Sequence, residues 1–370
     1  MKIDGVTIYR VAMPLLYPWR TAYGEDYVIE SVLVRMRSGE LVGWGEATPL
    51  AAPQYSPEWA AGVFMLLRDW LAPLLLNQEI DSGEQLQQTL AAFKGNNFAK
   101  AALDTAWWDL QARSAGMPLW KLLGGRSAVV DVGADFGVMD TLDALLEAVG
   151  SAVNDGFKRV KLKFRPGWDV DMVAAVRAAF PDLVMHVDCN SGYRLEDFKV
   201  FEALDRFRLA MIEQPLAHDD LMDHAKLQRR IQTPICLDES LVSPAKLAEA
   251  VEVGAARYFN IKPGRVGGIT RAVQMIQMAE QYGIPCWIGG MLESAVGASH
   301  CLALATLPNI NYPSDIFPSR RYFQRDLALP ELVLCAPSRI AASPANGVGC
   351  APDEDSLANQ TLESAEVGGA

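Results

Sequence analysis

The feature that most constrains this chain is a regular spacing of charged residues, each of which follows a short apolar run. Lys163, Asp188, Glu213 and Asp238 lie 25 residues apart, and Lys262 follows after 24. Amphipathic helical patterns separate the runs, which favours parallel strands covered by helices on both faces. A doubly wound sheet and a (β/α) barrel both fit this alternation, but only a closed barrel aims every strand end at one centre. We therefore predict a TIM-type barrel.

The predicted barrel occupies residues 126–330 and has about eight strands. Its strands are expected near 129–134, 160–164, 183–187, 209–212, 234–237, 258–261, 285–288 and 309–315. The charged residues then stand at the carboxyl ends of their strands, where barrel enzymes place their active sites.

Residues 1–125 have a different pattern, which predicts a separate α+β domain. Strand-like segments at 2–12, 27–37 and 41–46 predict an antiparallel meander. Ser56, followed by Pro57, predicts the start of a helix to about Leu75, and a second helix is expected over 97–115. Residues 331–370 are expected to return to this domain, with a frayed end after about Asp353.

Composition excludes several function classes. The 370 residues carry 33 basic and 45 acidic side chains, a net charge of −12, which repels nucleic acid and anionic membranes. No apolar run approaches the roughly 20 residues of a membrane span, and the first residues lack a signal-peptide pattern. We expect a cytoplasmic protein whose six cysteines, which form no CxxC pair, are reduced packing residues.

Three carboxylates at successive strand ends predict a metal site. Asp188, Glu213 and Asp238 would concentrate negative charge in apolar surroundings, and a cation must balance it. All-oxygen ligands that leave positions for water or substrate suit Mg²⁺ better than a full Ca²⁺ cage. An isolated acid at a strand end is more often a helix cap or surface ion pair, but three in phase favour the metal.

Two lysines placed across this site predict proton transfer. Lys161 and Lys163 share one face of a strand because side chains alternate with a period of two. Lys262 ends the strand four repeats further along and should approach from the opposite side. Burial and neighbouring positive charge would lower a lysine pKa towards the range of a general base. This set suits removal of a proton next to a carboxylate, because the resulting enediolate needs positive charge beside it.

These motifs, in this order, resemble the enolase superfamily, specifically its muconate-lactonizing-enzyme subgroup. The resemblance rests on Lys161-Leu-Lys163, Asp188-Cys-Asn190, Glu213-Gln-Pro, Asp238-Glu-Ser and Asn260-Ile-Lys262-Pro-Gly-Arg-Val-Gly-Gly. Within the subgroup the chain is most similar to the o-succinylbenzoate synthase and N-succinylamino acid racemase family. That closer likeness rests on the segments at 289–294 and 303–307 and on Pro313-Ser-Asp315.

The resemblance implies roles for the residues that match. Asp188, Glu213 and Asp238 would bind Mg²⁺, with Mn²⁺ as a possible substitute. Lys163 and Lys262 would be the two acid/base groups, with Lys161 beside Lys163. Residues 1–125 would be the capping domain, whose two loops set specificity in relatives.

Substrate contacts are expected from seven further residues. These are Asn190 and Glu239 in the barrel motifs, Gly290, Met291 and Asp315 near the last strands, and Arg20 and Tyr55 in the capping loops. Arg20 is a candidate for a second substrate carboxylate, although an ordinary surface arginine is the more common interpretation of such a residue. Related dipeptide epimerases carry two aspartates around the last strand. Pro313 stands in place of the first, which disfavours a dipeptide substrate.

The resemblance implies a Mg²⁺-dependent lyase that forms o-succinylbenzoate by dehydration. Racemisation of N-succinylamino acids and a muconate-type cycloisomerisation remain open alternatives, since the same lysines would serve each. Lys262 alone would also suit an imine-forming aldolase, but the acidic triad argues against it. A binding barrel without catalysis is the remaining alternative. The partner expected in every enzymatic case is a small carboxylate, and a homo-oligomer is possible.

Overall fold

The computed structural model describes residues 1–368, in which an antiparallel sheet and a curled parallel sheet form separate parts. The strands are β1 (Gly5–Arg20), β2 (Glu25–Ser38), β3 (Leu41–Ala47), β4 (Val129–Asp131), β5 (Ala134–Phe136), β6 (Arg159–Lys163), β7 (Val184–Asp188), β8 (Ile212–Glu213), β9 (Ile235–Leu237), β10 (Tyr258–Ile261), β11 (Cys286–Ile288), β12 (Ala328–Leu329), β13 (Leu334–Ala336), β14 (Arg339–Ala341), β15 (Ala351–Pro352) and β16 (Thr361–Val367). The helices are α1 (Ala60–Leu66), α2 (Ala72–Leu75), α3 (Gly83–Leu90), α4 (Asn97–Ser114), α5 (Leu119–Leu122), α6 (Leu142–Asn154), α7 (Val170–Ala179), α8 (Phe198–Leu204), α9 (Leu221–Gln228), α10 (Pro244–Val253), α11 (Pro263–Val266), α12 (Ile269–Gln281), α13 (Ala295–Ala305) and α14 (Glu354–Gln360). Within residues 1–368, no helix combines the length and apolar character needed to cross a membrane.

The first sheet has the strand order β16-β1-β2-β3 and supports helix α4 on one face. Gly43 and Gly45 of β3 allow this close packing, because a Cβ on either would lie 2.4 Å from a backbone oxygen of α4. The predicted meander is therefore present, with longer first and second strands than expected. The long β1–β2 hairpin extends towards the barrel and places Trp19 at the site described below.

The first helix begins later than predicted. Ser56 was expected as its N-cap, but α1 starts at Ala60, and the Ser56 hydroxyl instead accepts a hydrogen bond from the Glu58 N–H. The Glu58 carboxylate accepts from the N–H groups of Phe98 and Ala99 at the start of α4. The short polar segment before α1 therefore caps a different helix.

The parallel sheet has seven strands in the order β5 to β11, as a barrel requires. The segment at 310–315 closes it, since Ile310 bridges Cys286 on β11 and Ser314 bridges Val132 just before β5. The predicted barrel is confirmed, with its eighth strand reduced to single bridges. The Asp315 N–H donates to the Ile288 carbonyl at 2.8 Å, which carries this segment to the carboxyl end of the sheet.

Two expectations about the barrel's borders are wrong. The first barrel strand lies at Ala134–Phe136, whereas Val129–Asp131 pairs with β14 outside the barrel. Only Val130 of that earlier strand is buried, as suits a sheet with one covered face, while all of β5 is buried. The frayed end is also wrong, because residues 354–367 form α14 and β16, and β16 pairs with β1. Residues 369 and 370 lie outside the described residues.

All six cysteines are free, and Cys335 is the exposed one among them. The other five are buried in the core.

Two buried carboxylates of the first domain join it to barrel helices. Glu46 accepts hydrogen bonds from the Ser294 N–H at 3.1 Å, the Ser294 hydroxyl at 2.5 Å and the Gly297 N–H at 2.8 Å, at the start of α13. Asp104 accepts from the Thr270 N–H and hydroxyl at the start of α12. Helix N-termini favour negative charge, so each carboxylate stabilises a barrel helix from the other domain. These hydrogen bonds hold the first domain over the carboxyl ends of the barrel strands.

Glu46→Gln is expected to lower the free energy of unfolding by about 2 kcal/mol, because the amide turns a donor towards the N–H groups of α13. Urea unfolding followed by circular dichroism measures the change. Glu147→Gln on the exposed face of α6 is the matched control and should change stability by less than about 0.5 kcal/mol. Equal stability of the two variants would show that Glu46 does not hold the domains together.

Candidate active site

Strand ends bring the predicted lysines and carboxylates together. Lys161 and Lys163 lie on β6, Asp188 ends β7, Glu213 ends β8, Asp238 follows β9 and Lys262 follows β10. All six side chains are buried. The 25-residue spacing thus corresponds to one strand and one helix per repeat, and the carboxyl ends converge as expected.

Lys163 is held by two groups from the neighbouring strand. Its Nζ donates to Asp188 Oδ2 at 2.7 Å and to Asn190 Oδ1 at 3.0 Å. On its other side, Nζ lies 5.9 Å from the centre of the Trp19 ring in the capping domain. Lys163 therefore points into the space between barrel and cap.

Lys161 is surrounded by carboxylates. Its Nζ pairs with Asp315, lies 3.1 Å from Asp135 Oδ2, and is 3.6 Å from Asp188 Oδ2 and 3.7 Å from Glu213 Oε2. Burial acts to lower the pKa of Lys161, but these carboxylates outweigh it and hold the pKa well above its usual value. These contacts therefore favour the protonated form of Lys161.

Lys262 lies across the curled sheet from Lys163 and borders the same cavity. Its Nζ lies 2.9 Å from Asp238 Oδ2, 3.4 Å from Met291 Sδ and 4.5 Å from the centre of the Tyr55 ring. Burial acts to lower the pKa of Lys262, but Tyr55, Glu213 and Glu239 raise it, and the net pKa lies above its usual value. The sequence predicted a lowered pKa from burial and neighbouring positive charge. The direction in the structure is the opposite, because the neighbouring acidic groups outweigh these effects.

The carboxylates are held by further buried polar groups. Asp238 Oδ1 accepts from the Tyr55 hydroxyl at 2.9 Å and from the Arg265 guanidinium. Glu213 Oε1 accepts from Asn260 Nδ2 at 2.6 Å. Burial acts to raise the pKa of Glu213, but Lys161 and His186 lower it below the usual range. Glu213 therefore carries negative charge.

The donor chemistry of this cluster fits a hard divalent cation. Glu213 Oε2 and Asp238 Oδ2 are buried without a hydrogen bond, although each lies near a lysine ammonium. Within residues 1–368, no three His, Cys, Asp or Glu side chains stand close enough together to form a ligand set as placed. Asp188 faces Lys163 and Asp238 faces Lys262, so these carboxylates turn towards ammonium groups rather than towards one another. Binding a cation would require the three carboxylates to exchange lysine contacts for the metal.

A cavity with about 480 Å³ of empty space, part of it open to solvent, lies between these groups and the cap. The barrel lines it with the three lysines and Asn190, and the capping domain lines it with Trp19, Tyr23, Asp26 and Tyr55. Gly290 and Met291 form part of its wall, as expected of substrate contacts. The cavity is the space in which a small carboxylate would meet the lysines.

Three of the expected substrate contacts lie elsewhere. Glu239 is buried behind Asn190, whose Nδ2 donates to it at 3.2 Å. Asp315 is occupied by Lys161 and by Arg159, which lies 2.7 Å away. Arg20 pairs with Glu25 and Asp140 and lines a neighbouring cleft. For Arg20 the geometry therefore favours the ordinary ion-paired arginine.

Sequence reasoning missed several residues of the site. Asp135 lies on β5 and faces Lys161. It directly follows the strand predicted at 129–134, but it lies outside the 25-residue spacing that marks the other charged residues. Asp26 lies in a hairpin whose length exceeds the predicted strands. Arg265 lies within the motif at 260–268, but the motif does not reveal which buried carboxylate its side chain reaches.

The fold and the site together define a capped (β/α)-barrel enzyme built for acid–base chemistry at a carboxylate. Comparison with known proteins identifies the family. Residues 3–124 match the mandelate racemase / muconate lactonizing enzyme N-terminal domain, and residues 144–356 match the enolase C-terminal domain-like family. The chain belongs to the enolase superfamily, in its mandelate racemase and muconate lactonizing enzyme group.

Individual relatives cover most of the chain. It is 42% identical to an N-succinylamino acid racemase of Thermus thermophilus, over 88% of this chain and 89% of the relative. It is also 42% identical to an o-succinylbenzoate synthase of Geobacillus kaustophilus, over 90% and 89%. A crystal structure of an enolase superfamily member from Listeria innocua superimposes with a TM-score of 0.95 at 34% identity, and covers 99% of both chains.

Proposed function

We propose that this enzyme removes the proton α to a carboxylate and stabilises the resulting enediolate in the covered cavity. The observation that carries the proposal is the placement of Lys163 and Lys262. They border the same cavity from β6 and β10, two strands separated by three others in the curled sheet. A substrate between them presents opposite faces of its α-carbon to the two amines.

The side chains divide the work. Lys163 takes the α-proton, since Asn190 and Asp188 orient its amine towards the cavity. Lys161, held protonated by Asp135 and Asp315, attracts the substrate carboxylate. Lys262 faces the other side of the α-carbon, beneath the Tyr55 ring. The cap excludes water, which strengthens each of these charge interactions.

We propose Mg²⁺ as the cofactor, with Mn²⁺ as a substitute. Asp188, Glu213 and Asp238 would hold it, because they supply only oxygen donors and two of them have buried oxygens without a hydrogen bond. When bound, the ion supplies positive charge against the charge that develops on the substrate carboxylate.

Asp238→Asn is expected to weaken binding of Mg²⁺ or Mn²⁺ by at least about tenfold, because a neutral amide replaces a charged ligand. Titration calorimetry with each ion on the purified protein measures this without a substrate. Asp143→Asn, an exposed carboxylate on α6, is the control and should leave the affinity unchanged. Unchanged affinity in Asp238→Asn would contradict the ligand assignment.

For the net reaction we propose formation of o-succinylbenzoate by dehydration. In this scheme Lys163 removes the α-proton and then returns it to the hydroxyl group on the adjacent carbon, which leaves as water, while Lys262 acts as a cation beside the enediolate. The relatives named o-succinylbenzoate synthase at up to 42% identity support it.

Racemisation of N-succinylamino acids is the second candidate. It is favoured by the same opposed lysines, because one amine would take the proton and the other would return one to the opposite face. An N-succinylamino acid racemase of Amycolatopsis is 41% identical over the whole of both chains and supports this candidate. The cytoplasmic location and the possible homo-oligomer remain predictions from the sequence.

Proton NMR in D₂O with Mg²⁺ and a panel of N-succinylamino acids tests the shared step, and an ultraviolet assay follows o-succinylbenzoate formation. Loss of the α-proton signal with both enantiomers formed establishes racemisation. Product absorbance establishes the synthase. Neither signal, in protein that binds Mg²⁺, would contradict the proposed function.

A further inference from the structure

Two kinds of charge line the cavity. The barrel supplies the ammonium groups of Lys161, Lys163 and Lys262. The capping domain supplies the cap end of the wall, which consists of the aromatic rings of Trp19 and Tyr23 and the carboxylate of Asp26. A substrate whose carboxylate binds at the lysines therefore has Asp26 in the same cavity wall for another of its groups.

Asp26 stands out because nothing neutralises it. It lies at the start of β2, opposite Trp19 in the hairpin, and its side chain is half-buried. Across residues 1–368, its carboxylate has neither a hydrogen bond nor an ion pair. The adjacent Glu25, by contrast, lies 3.1 Å from the Arg20 guanidinium. Burial alone raises the pKa of Asp26, so the carboxylate loses hydration without gaining a partner.

The neighbouring rings suit the same ligand chemistry. Trp19 and Tyr23 lie in the same cavity wall, and aromatic faces attract ammonium and guanidinium groups. A carboxylate next to aromatic rings is a favourable environment for a cation that also has an apolar stem. The cap end is therefore complementary to a basic side chain.

We propose that Asp26 is a specificity-determining residue that selects N-succinylamino acids with a cationic side chain, such as arginine or lysine. This inference rests on the racemase candidate above. The succinylated amino acid would place its α-carboxylate at the lysines and its guanidinium or ammonium group at Asp26. A neutral side chain of the same length would lack that interaction, and an anionic one would be repelled.

The sharpest test compares N-succinyl-arginine with N-succinyl-citrulline, whose side chain has nearly the same shape but no charge. Racemisation is followed by α-proton exchange in D₂O with Mg²⁺. We expect the unaltered enzyme to have a kcat/KM about tenfold or more higher for the arginine compound, as one charge-assisted contact provides. Asp26→Asn, which keeps the side-chain shape, should bring the ratio close to one through loss on the arginine compound.

Glu25→Gln is the matched control. It changes the adjacent acid of the same hairpin, which faces Arg20, and should preserve the preference for arginine. Equal kcat/KM for the two compounds in the unaltered enzyme, or a preference that persists in Asp26→Asn, would overturn the assignment. Silence with both compounds would contradict the racemase candidate itself, and this inference with it.

Discussion

Lys163→Ala is expected to lower α-proton exchange, racemisation and dehydration together by at least about 10³-fold, because general-base catalysis provides about 10²–10⁴-fold and no other amine reaches this face. Lys161 lies on the same strand and also lines the cavity, but Asp135 and Asp315 pair with its Nζ and favour its protonated form, which cannot act as a base. Lys262 lies across the cavity. The remaining groups nearest Lys163 are an amide, a carboxylate and an indole ring.

Two control measurements show whether the loss of activity in Lys163→Ala comes from the missing amine. Calorimetry with Mn²⁺ should show that Lys163→Ala still binds the ion, because the change removes a positive charge next to Asp188 and leaves the three carboxylates in place. Lys199→Ala, an exposed lysine of α8, should retain full activity. Normal exchange in Lys163→Ala would show that another group is the base and would remove the central assignment.

The sequence predicted the reacting groups well because their positions follow from repetition. One strand and one helix recur with nearly constant length, so Lys163, Asp188, Glu213 and Asp238 all fall at the same end of the barrel. The two-residue period of a strand also placed Lys161 and Lys163 on one face. These are local regularities that any single sequence displays.

Interactions between distant segments were not accessible in this way. The first barrel strand was expected before β5, since 129–131 is also strand-like, and its actual partner β14 lies about 210 residues away. The same reason explains the frayed end that is in fact β16, because an edge strand is recognisable only once β1 is known to lie beside it.

Side-chain partners were the least predictable property. Arg20 was a reasonable candidate for a substrate carboxylate until the structure showed Glu25 and Asp140 around it. Asp26 has no signal in the sequence, because its significance depends on the absence of a neutralising partner in the folded protein. Composition and spacing give the residues that could react, whereas the identity of the neutralising group depends on the folded cap.

Lys262→Arg is expected to separate the two candidate reactions. Arginine keeps the positive charge but does not exchange its proton near neutral pH, since its pKa exceeds about 12. Racemisation, which needs a proton moved at this position, should fall by at least about 10³-fold. Dehydration needs only a cation there and should persist, although reduced, because the larger guanidinium must fit between Tyr55 and Met291.

Exchange of the α-proton, measured separately for each enantiomer, tests the two-base scheme. If Lys163 serves one face and Lys262 the other, Lys262→Arg in D₂O should exchange the α-proton of one enantiomer of an N-succinylamino acid without inverting it, and leave the other enantiomer untouched. Lys262→Ala removes the charge as well and should lose dehydration more severely than the arginine variant. Exchange of both enantiomers, or undiminished racemisation, in Lys262→Arg would contradict the two-base scheme. Because Lys163 is unchanged in these variants, such a result would place the second proton transfer on a group other than Lys262 while leaving the first base assigned.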